Sequence, residues 1–146
     1  MAPEGREPVW VVSLTRESWD GCPKDLTPVA EVEVHRLYHY PLRPGYPRTP
    51  PATIGFRYDG RLQSIHRVEH DEIVRTPYGH VPGAPDAMWE DPHLLLHLGQ
   101  PITPDHLVRT GAGVYGPGRH WVDMDLLLAS QTVAEAIRLT IERRKT

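Results

Sequence analysis

The segment that decides the fold lies between Thr53 and Val68 and reads Thr53-Ile54-Gly55-Phe56-Arg57-Tyr58-Asp59-Gly60-Arg61-Leu62-Gln63-Ser64-Ile65-His66-Arg67-Val68. Two runs with strand-forming residues flank Asp-Gly, a pair that strongly favours a tight hairpin turn. A two-residue turn would pair Phe56 with Gln63, whereas a three-residue turn with a left-handed Gly60 would pair Phe56 with Leu62. We predict the second register, because it brings two apolar side chains together.

The N-terminal half contains two further runs with strand character. Val9 to Leu14 is apolar and predicts a first strand. Val29 to Tyr40 alternates apolar and charged residues, with a break near His35, and predicts a second strand with a bulge. Residues 41–51 hold five prolines and a glycine, so regular structure should stop there.

The C-terminal half mixes helix and strand signals. Asp91-Pro92 has the residues of a helix N-cap and first position, and predicts a short helix that ends at Gly99. Residues 108–125 carry four glycines between apolar ends, and predict two strands with Trp121 packed on the second.

The last segment predicts the C-terminal helix. Thr132 to Glu135 forms a capping box, and apolar side chains then recur at helical spacing at Val133, Ile137 and Ile141. Together these elements predict an α+β fold, a small mixed or antiparallel β-barrel with a C-terminal helix. We expect one domain over residues 1–146, with residues 1–8 as a polar lead-in.

Composition predicts a cytoplasmic protein that does not enter a membrane. The longest apolar runs are far shorter than the roughly 20 residues that a spanning helix needs. The first eight residues lack the apolar core of a secretory signal. A single cysteine, Cys22, cannot form an internal disulfide, which fits a reducing compartment.

Charge is unevenly distributed along the chain, although the net charge is only −3. The stretch from His35 to Arg67 contains six arginines and one acidic residue, Asp59, with aromatic residues between them. Guanidinium groups bind phosphates and aromatic faces stack on bases, so this mixture favours an unstacked nucleotide. The candidate nucleic-acid-binding residues are Tyr38, Tyr40, Arg43, Tyr46, Arg48, Arg57, Tyr58, Arg61, Arg67 and Trp89. The same composition is also typical of protein interfaces.

Histidine motifs give weaker indications. His66-Arg67-Val68-Glu69-His70 matches an inverted zinc-peptidase motif, but that motif requires a helix. On the predicted strand, residues four apart lie roughly 13 Å from each other and cannot share an ion. The pairs His35 with His39 and His93 with His97 have no third ligand placed by sequence. We therefore predict no metal site and no cofactor.

The order of elements, together with the run from Ile54 to Glu69, resembles the PUA-like group of compact barrels, which includes EVE and ASCH domains. This resemblance implies a barrel cleft that recognises RNA or a modified, flipped-out DNA base between aromatic walls. It transfers no catalytic residue to this chain.

Three functions follow as hypotheses. The first is a nucleic-acid-binding module that recognises RNA or a modified base through an arginine and aromatic cleft. The second is a small hydrolase or transferase acting on a nucleotide-like substrate, with His66, Glu69 or His70 as acid or base. The third is an interaction or assembly subunit, as a homo-oligomer or in a protein complex. Whether the chain is an enzyme stays open.

Overall fold

The architecture is α+β, with a mixed six-stranded sheet and a C-terminal helix. The structure, a computed structural model, describes residues 6–19, 22–86, 89–114 and 118–145. The elements in chain order are β1 (Pro8–Ser13), α1 (Pro28–His35), β2 (Leu37–Pro41), β3 (Thr53–Tyr58), β4 (Arg61–Val74), β5 (His93–Leu98), β6 (His120–Asp123), α2 (Met124–Ala129) and α3 (Val133–Arg144). Residues 1–5 of the predicted lead-in and 115–117 of the predicted glycine-rich connection lie outside the described residues.

The strands lie in the order β2-β5-β4-β3-β1-β6. β1 pairs in parallel with β3, and the other neighbours are antiparallel. In the part of the chain that the structure describes, this sheet is not closed into a barrel. The predicted α+β class, the strand at 9–14 and the C-terminal helix are confirmed. Among the described residues, no helix is both long and apolar enough to cross a membrane.

The chain divides into two compact units, which share the long strand β4. Unit 1 comprises the residues up to Leu14, Ala52–Arg67 and the residues from Gln100 onward; unit 2 comprises Thr15–Pro51 and Val68–Gly99. The core of unit 1 contains Val9, Val11, Leu62, Ile65, Val108, Val122, Met124, Leu127, Val133 and Ala136. The core of unit 2 contains Leu26, Leu37, Val74, Val81 and Leu95, with Trp19, Cys22, Ala84 and Trp89 packed against it.

The hairpin forms in unit 1, but the predicted pairing of Phe56 with Leu62 is wrong. The turn of the hairpin has two residues, Asp59 and Gly60. Both are left-handed, with φ of 54° and 77°. Leu62 therefore pairs with Arg57, and a register shift beyond it pairs Phe56 with Ser64. Such a bulge changes which face later side chains occupy. It brings Leu62 and Ile65 into the same core, although they are three residues apart on one strand.

The predicted second strand at 29–40 is wrong over most of its length, because its first part is helix α1. The Thr27 hydroxyl accepts a hydrogen bond from the Ala30 amide at 3.1 Å, and Pro28 occupies the first turn. These are N-cap features, and they outweigh the alternation of valines. Val34 is 70% exposed, so the alternation does not mark a buried face. A left-handed Arg36, with φ of 53°, ends the helix before β2.

The predicted helix that ends at Gly99 is also wrong, because residues 93–98 form β5. This strand lies between β2 and β4, and Leu94, Leu95 and Leu96 are all buried. A central strand covered on both faces has a continuous apolar run, which resembles a buried helix in sequence.

Two smaller predictions concern residues 108–145. Of the two strands predicted at 108–125, the described residues of this range form only the second, β6, and Arg109 makes isolated bridges. Trp121 contacts the ring of Trp10, with 6.3 Å between centroids, and stays 40% exposed. On α3 the buried positions are Val133, Ala136 and Thr140, and Ile137 packs against the core, whereas Ile141 is 52% exposed.

Candidate nucleic-acid interface

The ten candidate binding residues are divided between the two units. Unit 2 holds Tyr38, Tyr40, Arg43, Tyr46, Arg48 and Trp89; unit 1 holds Arg57, Tyr58, Arg61 and Arg67. The basic stretch that is continuous in sequence is therefore distributed over two compact bodies.

The arginines of unit 1 make contacts within that unit. Arg57 is buried, with 6% exposure, and donates a hydrogen bond to the Gly118 carbonyl at 3.2 Å. Burial lowers the pKa of Arg57. Arg67 pairs with Glu7 at 3.1 Å, and Arg61 Nε lies 3.4 Å from the Gln63 side-chain oxygen. A buried guanidinium is poorly placed to contact a phosphate.

In unit 2 the tyrosines of β2 and of the proline-rich loop meet. Tyr40 is buried and stacks on Tyr46, with centroids 5.8 Å apart and an interplanar angle of 8°. Its hydroxyl donates to the Pro47 carbonyl at 2.9 Å, which holds the loop against the strand. Burial, aided by Asp71, raises the pKa of Tyr40 to about 12. Arg43 lies 5.8 Å from the centre of the Tyr46 ring.

A second set of rings, here called the ring cluster, consists of Trp19, His39, Trp89 and His93. Trp89 stacks on His93 with 3.9 Å between centroids and on His39 with 4.9 Å. Trp19 lies 5.3 Å from His39. The cluster joins the tyrosines through Asp91: its carboxylate lies 3.6 Å from Arg43, and its carbonyl lies 3.0 Å from His93 Nδ1.

A buried carboxyl group fixes the orientation of His39. Glu31 on α1 is 1% exposed, and its Oε2 lies 2.6 Å from His39 Nδ1. Desolvation raises the pKa of Glu31, and His39 opposes that effect. Because Nδ1 is engaged by Glu31, Nε2 is the ring nitrogen that remains for other contacts. Burial also lowers the pKa of His93, which favours a neutral ring in the stack.

Sequence reasoning named Trp89 but missed Glu31, Trp19, His39 and His93 as parts of one site. It treated the two histidines only as members of separate metal pairs. The signal that could have found them is the strand pairing, because His39 on β2 lies opposite Leu95, two residues from His93 on β5. The wrong helix at 92–99 concealed this neighbourhood.

The three catalytic candidates all belong to strand β4, but they differ in burial and belong to different units. His66 is buried in unit 1, where it contacts the Phe56 ring and lies 2.9 Å from Ser64 Oγ. Glu69 and His70 belong to unit 2 and are exposed. The inverted zinc-peptidase motif lies on strand β4, so its residues lack the helical arrangement that the motif requires.

Comparison with protein-family models, with curated proteins and with solved structures finds no match to this chain. The resemblance to the PUA-like group therefore stays a prediction.

Proposed function

We propose that this chain is a nucleic-acid-binding module that recognises an unpaired base of RNA, or a modified or flipped-out DNA base, at the surface of unit 2. The observation that carries the proposal is the continuity of one strip of side chains. The strip runs from Tyr46 and Arg43 through Asp91 to the ring cluster.

The chemistry of the strip suits a nucleotide. Arg43 has a side chain that is 57% exposed, so it can reach a phosphate, and the exposed Arg48 lies on the same loop. Trp19 and Trp89 are half-buried, which leaves part of each ring available for stacking. The Glu31–His39 pair supports this surface from within, because the His39 side chain is only 10% exposed and stacks on Trp89.

A PUA-like fold would agree with this function, because the resemblance implies recognition of RNA or modified bases between aromatic walls. The sequence predicts a mixed or antiparallel barrel, and the parallel pairing of β1 with β3 in an otherwise antiparallel sheet favours the mixed form within this proposal. The hydrolase alternative lacks comparable support, since His66 is buried against Phe56, and Glu69 and His70 are exposed.

The test is binding of labelled single-stranded RNA and DNA, including strands with modified bases, measured by fluorescence anisotropy at low salt. Trp89→Ala should weaken binding by about 5- to 150-fold, because stacking of one base on an aromatic ring contributes ~1–3 kcal/mol. Arg43→Gln should also weaken binding, and to a similar degree for all sequences, because a phosphate contact carries no sequence information.

The matched control is Trp121→Ala, which removes a partly exposed tryptophan from unit 1. It should leave the affinity unchanged. Circular dichroism of each variant separates loss of binding from loss of folding. Absence of binding to every oligonucleotide would refute the function. Equal binding by wild type and Trp89→Ala would refute the site.

A further inference from the structure

Three side chains on one face of unit 2 bring imidazole and carboxylate donors together. His70 and Glu72 lie on β4, and His97 lies on β5. One ligand atom from each residue can be chosen so that all lie within 4.8 Å of one another. This group, here called the histidine–glutamate cluster, plays no part in the proposed nucleic-acid site.

The backbone explains why these three residues meet. A register shift between Val68 and His70 leaves Glu69 out of the pairing, so that His70 lies directly opposite His97. Without that shift, Glu69 would face His97 and His70 would point to the other side of the sheet. Glu72 is two residues beyond His70 and shares its face.

The distances approach those of a coordination sphere. His97 Nε2 lies 2.7 Å from Glu72 Oε2, and His70 Nε2 lies 3.9 Å from the same oxygen. Ligand atoms about 2.1 Å from a tetrahedral zinc ion are roughly 3.4 Å apart, so shifts on the order of 1 Å would complete the geometry. The His70 side chain is 66% exposed, and those of Glu72 and His97 about one third, so an ion has access and the side chains have room to adjust.

A third histidine supports the carboxylate. His80 Nδ1 lies 3.4 Å from Glu72 Oε1, whereas His97 contacts the other carboxylate oxygen, Oε2. Groups that bond to the second oxygen of a metal-ligating carboxylate fix its orientation.

We propose that His70, Glu72 and His97 bind a divalent transition-metal ion of the zinc type, with His80 positioning Glu72. Two imidazoles and one carboxylate form a donor set that zinc accepts, and a three-residue set leaves a coordination position open. The sequence predicted no metal site because its histidines were considered only at helical spacing, whereas these ligands come from cross-strand pairing.

The test is a titration of the full chain with Zn²⁺ against a chromophoric chelator. Wild type should bind one ion per chain with a Kd of about 1 μM or below. His97→Ala should weaken binding by about 100-fold or more, because it removes one of three ligands. His80→Ala should weaken it by roughly 10- to 100-fold, as expected for a positioning residue.

The matched control is His106→Ala. His106 is also exposed and lies 3.1 Å from a carboxylate oxygen of Asp105, but it belongs to unit 1. This variant should bind zinc as wild type does. Zinc should also raise the Tm of wild type and of His106→Ala, but not that of His97→Ala.

Two results would overturn the proposal. One is wild-type protein that retains no stoichiometric zinc in the chelator competition. The other is unchanged affinity in both His97→Ala and Glu72→Gln, with circular dichroism showing that these variants are folded. Loss of nucleic-acid binding would not affect either readout, because zinc alone is the probe.

Discussion

Glu31 combines a titratable carboxyl group with nearly complete burial on helix α1. Its partner His39 belongs to the ring cluster. The protonation state of Glu31 therefore affects the candidate binding surface as well as the stability of the fold. Desolvation favours the neutral carboxyl group and raises the pKa of Glu31 above its usual value of 4.5. Sequence reasoning could not identify this residue, because it assigned the segment to a strand.

The raised pKa gives a prediction for stability against pH. A group whose pKa is raised by folding stabilises the protein fully below its unfolded pKa, and that contribution is lost as pH rises through its folded value. Glu31→Gln keeps a neutral side chain of similar shape at every pH. The free energy of unfolding of wild type, minus that of Glu31→Gln, should therefore fall as pH rises above about 4.5, by at most about 1.4 kcal/mol per pH unit.

Urea denaturation across this pH range would measure that difference. Glu33→Gln, at an exposed position on the same helix, is the control for loss of a carboxyl group that is not buried. If the difference between wild type and Glu31→Gln grows with pH, the ionised carboxylate is stabilising and the argument from desolvation is wrong.

The C-terminal helix α3 shows which elements sequence predicts well. Its start depends on local chemistry, since the Thr132 hydroxyl accepts a hydrogen bond from the Glu135 amide at 3.0 Å. α1 has the same type of cap at Thr27, but its valines supplied a competing strand pattern. β5 had a false cap in Asp91-Pro92 and a run of leucines. At α1 the cap at Thr27 outweighed the alternation of valines. At β5 the structure was decided by pairing with β2 and β4, which local pattern does not contain.

The first turn of α3 is held by residues 109 and 110, which precede β6 in the chain. The amides of Val133 and Ala134 donate to the carbonyls of Arg109 and Thr110 at 2.8 and 3.1 Å. Gly111 follows directly, with φ of 84°. A Cβ atom at Gly111 would lie 2.9 Å from Thr132 Cβ and 3.0 Å from Ala134 Cβ, so the close approach depends on glycine.

Gly111→Ala should therefore destabilise unit 1 more than Gly113→Ala. Both positions are left-handed, which costs an alanine about 1–2 kcal/mol. At Gly113 an added Cβ has no neighbour within 4 Å, whereas at Gly111 it overlaps the helix and should add roughly 1–3 kcal/mol. Chemical denaturation of both variants measures the difference. Equal losses would show that the close approach to α3 is not limiting.

At the scale of the whole molecule, the sequence predicted the α+β class but not how its basic stretch would be divided. Residues 35–67 are one charged segment in sequence, yet the chain crosses from unit 2 to unit 1 at residue 52. The division arises from long-range strand pairing, in which β3 joins β1 and β2 joins β5. Periodicity within one segment carries no information about such pairing. A count of arginines over the whole stretch therefore does not give the number that either unit carries.

This division predicts the salt dependence of nucleic-acid binding. For single strands, each phosphate contact contributes about −0.7 to the slope of log K against log salt concentration. If Arg43 and Arg48 of unit 2 make the phosphate contacts, the slope should be about −1.4. Contacts from all five candidate arginines would give about −3.5.

Arg43→Gln should reduce the magnitude of the slope by about 0.7. Arg61→Gln, in unit 1, should leave it unchanged. A wild-type slope near −3.5 that falls in Arg61→Gln would place the binding surface on both units and contradict the assignment to unit 2.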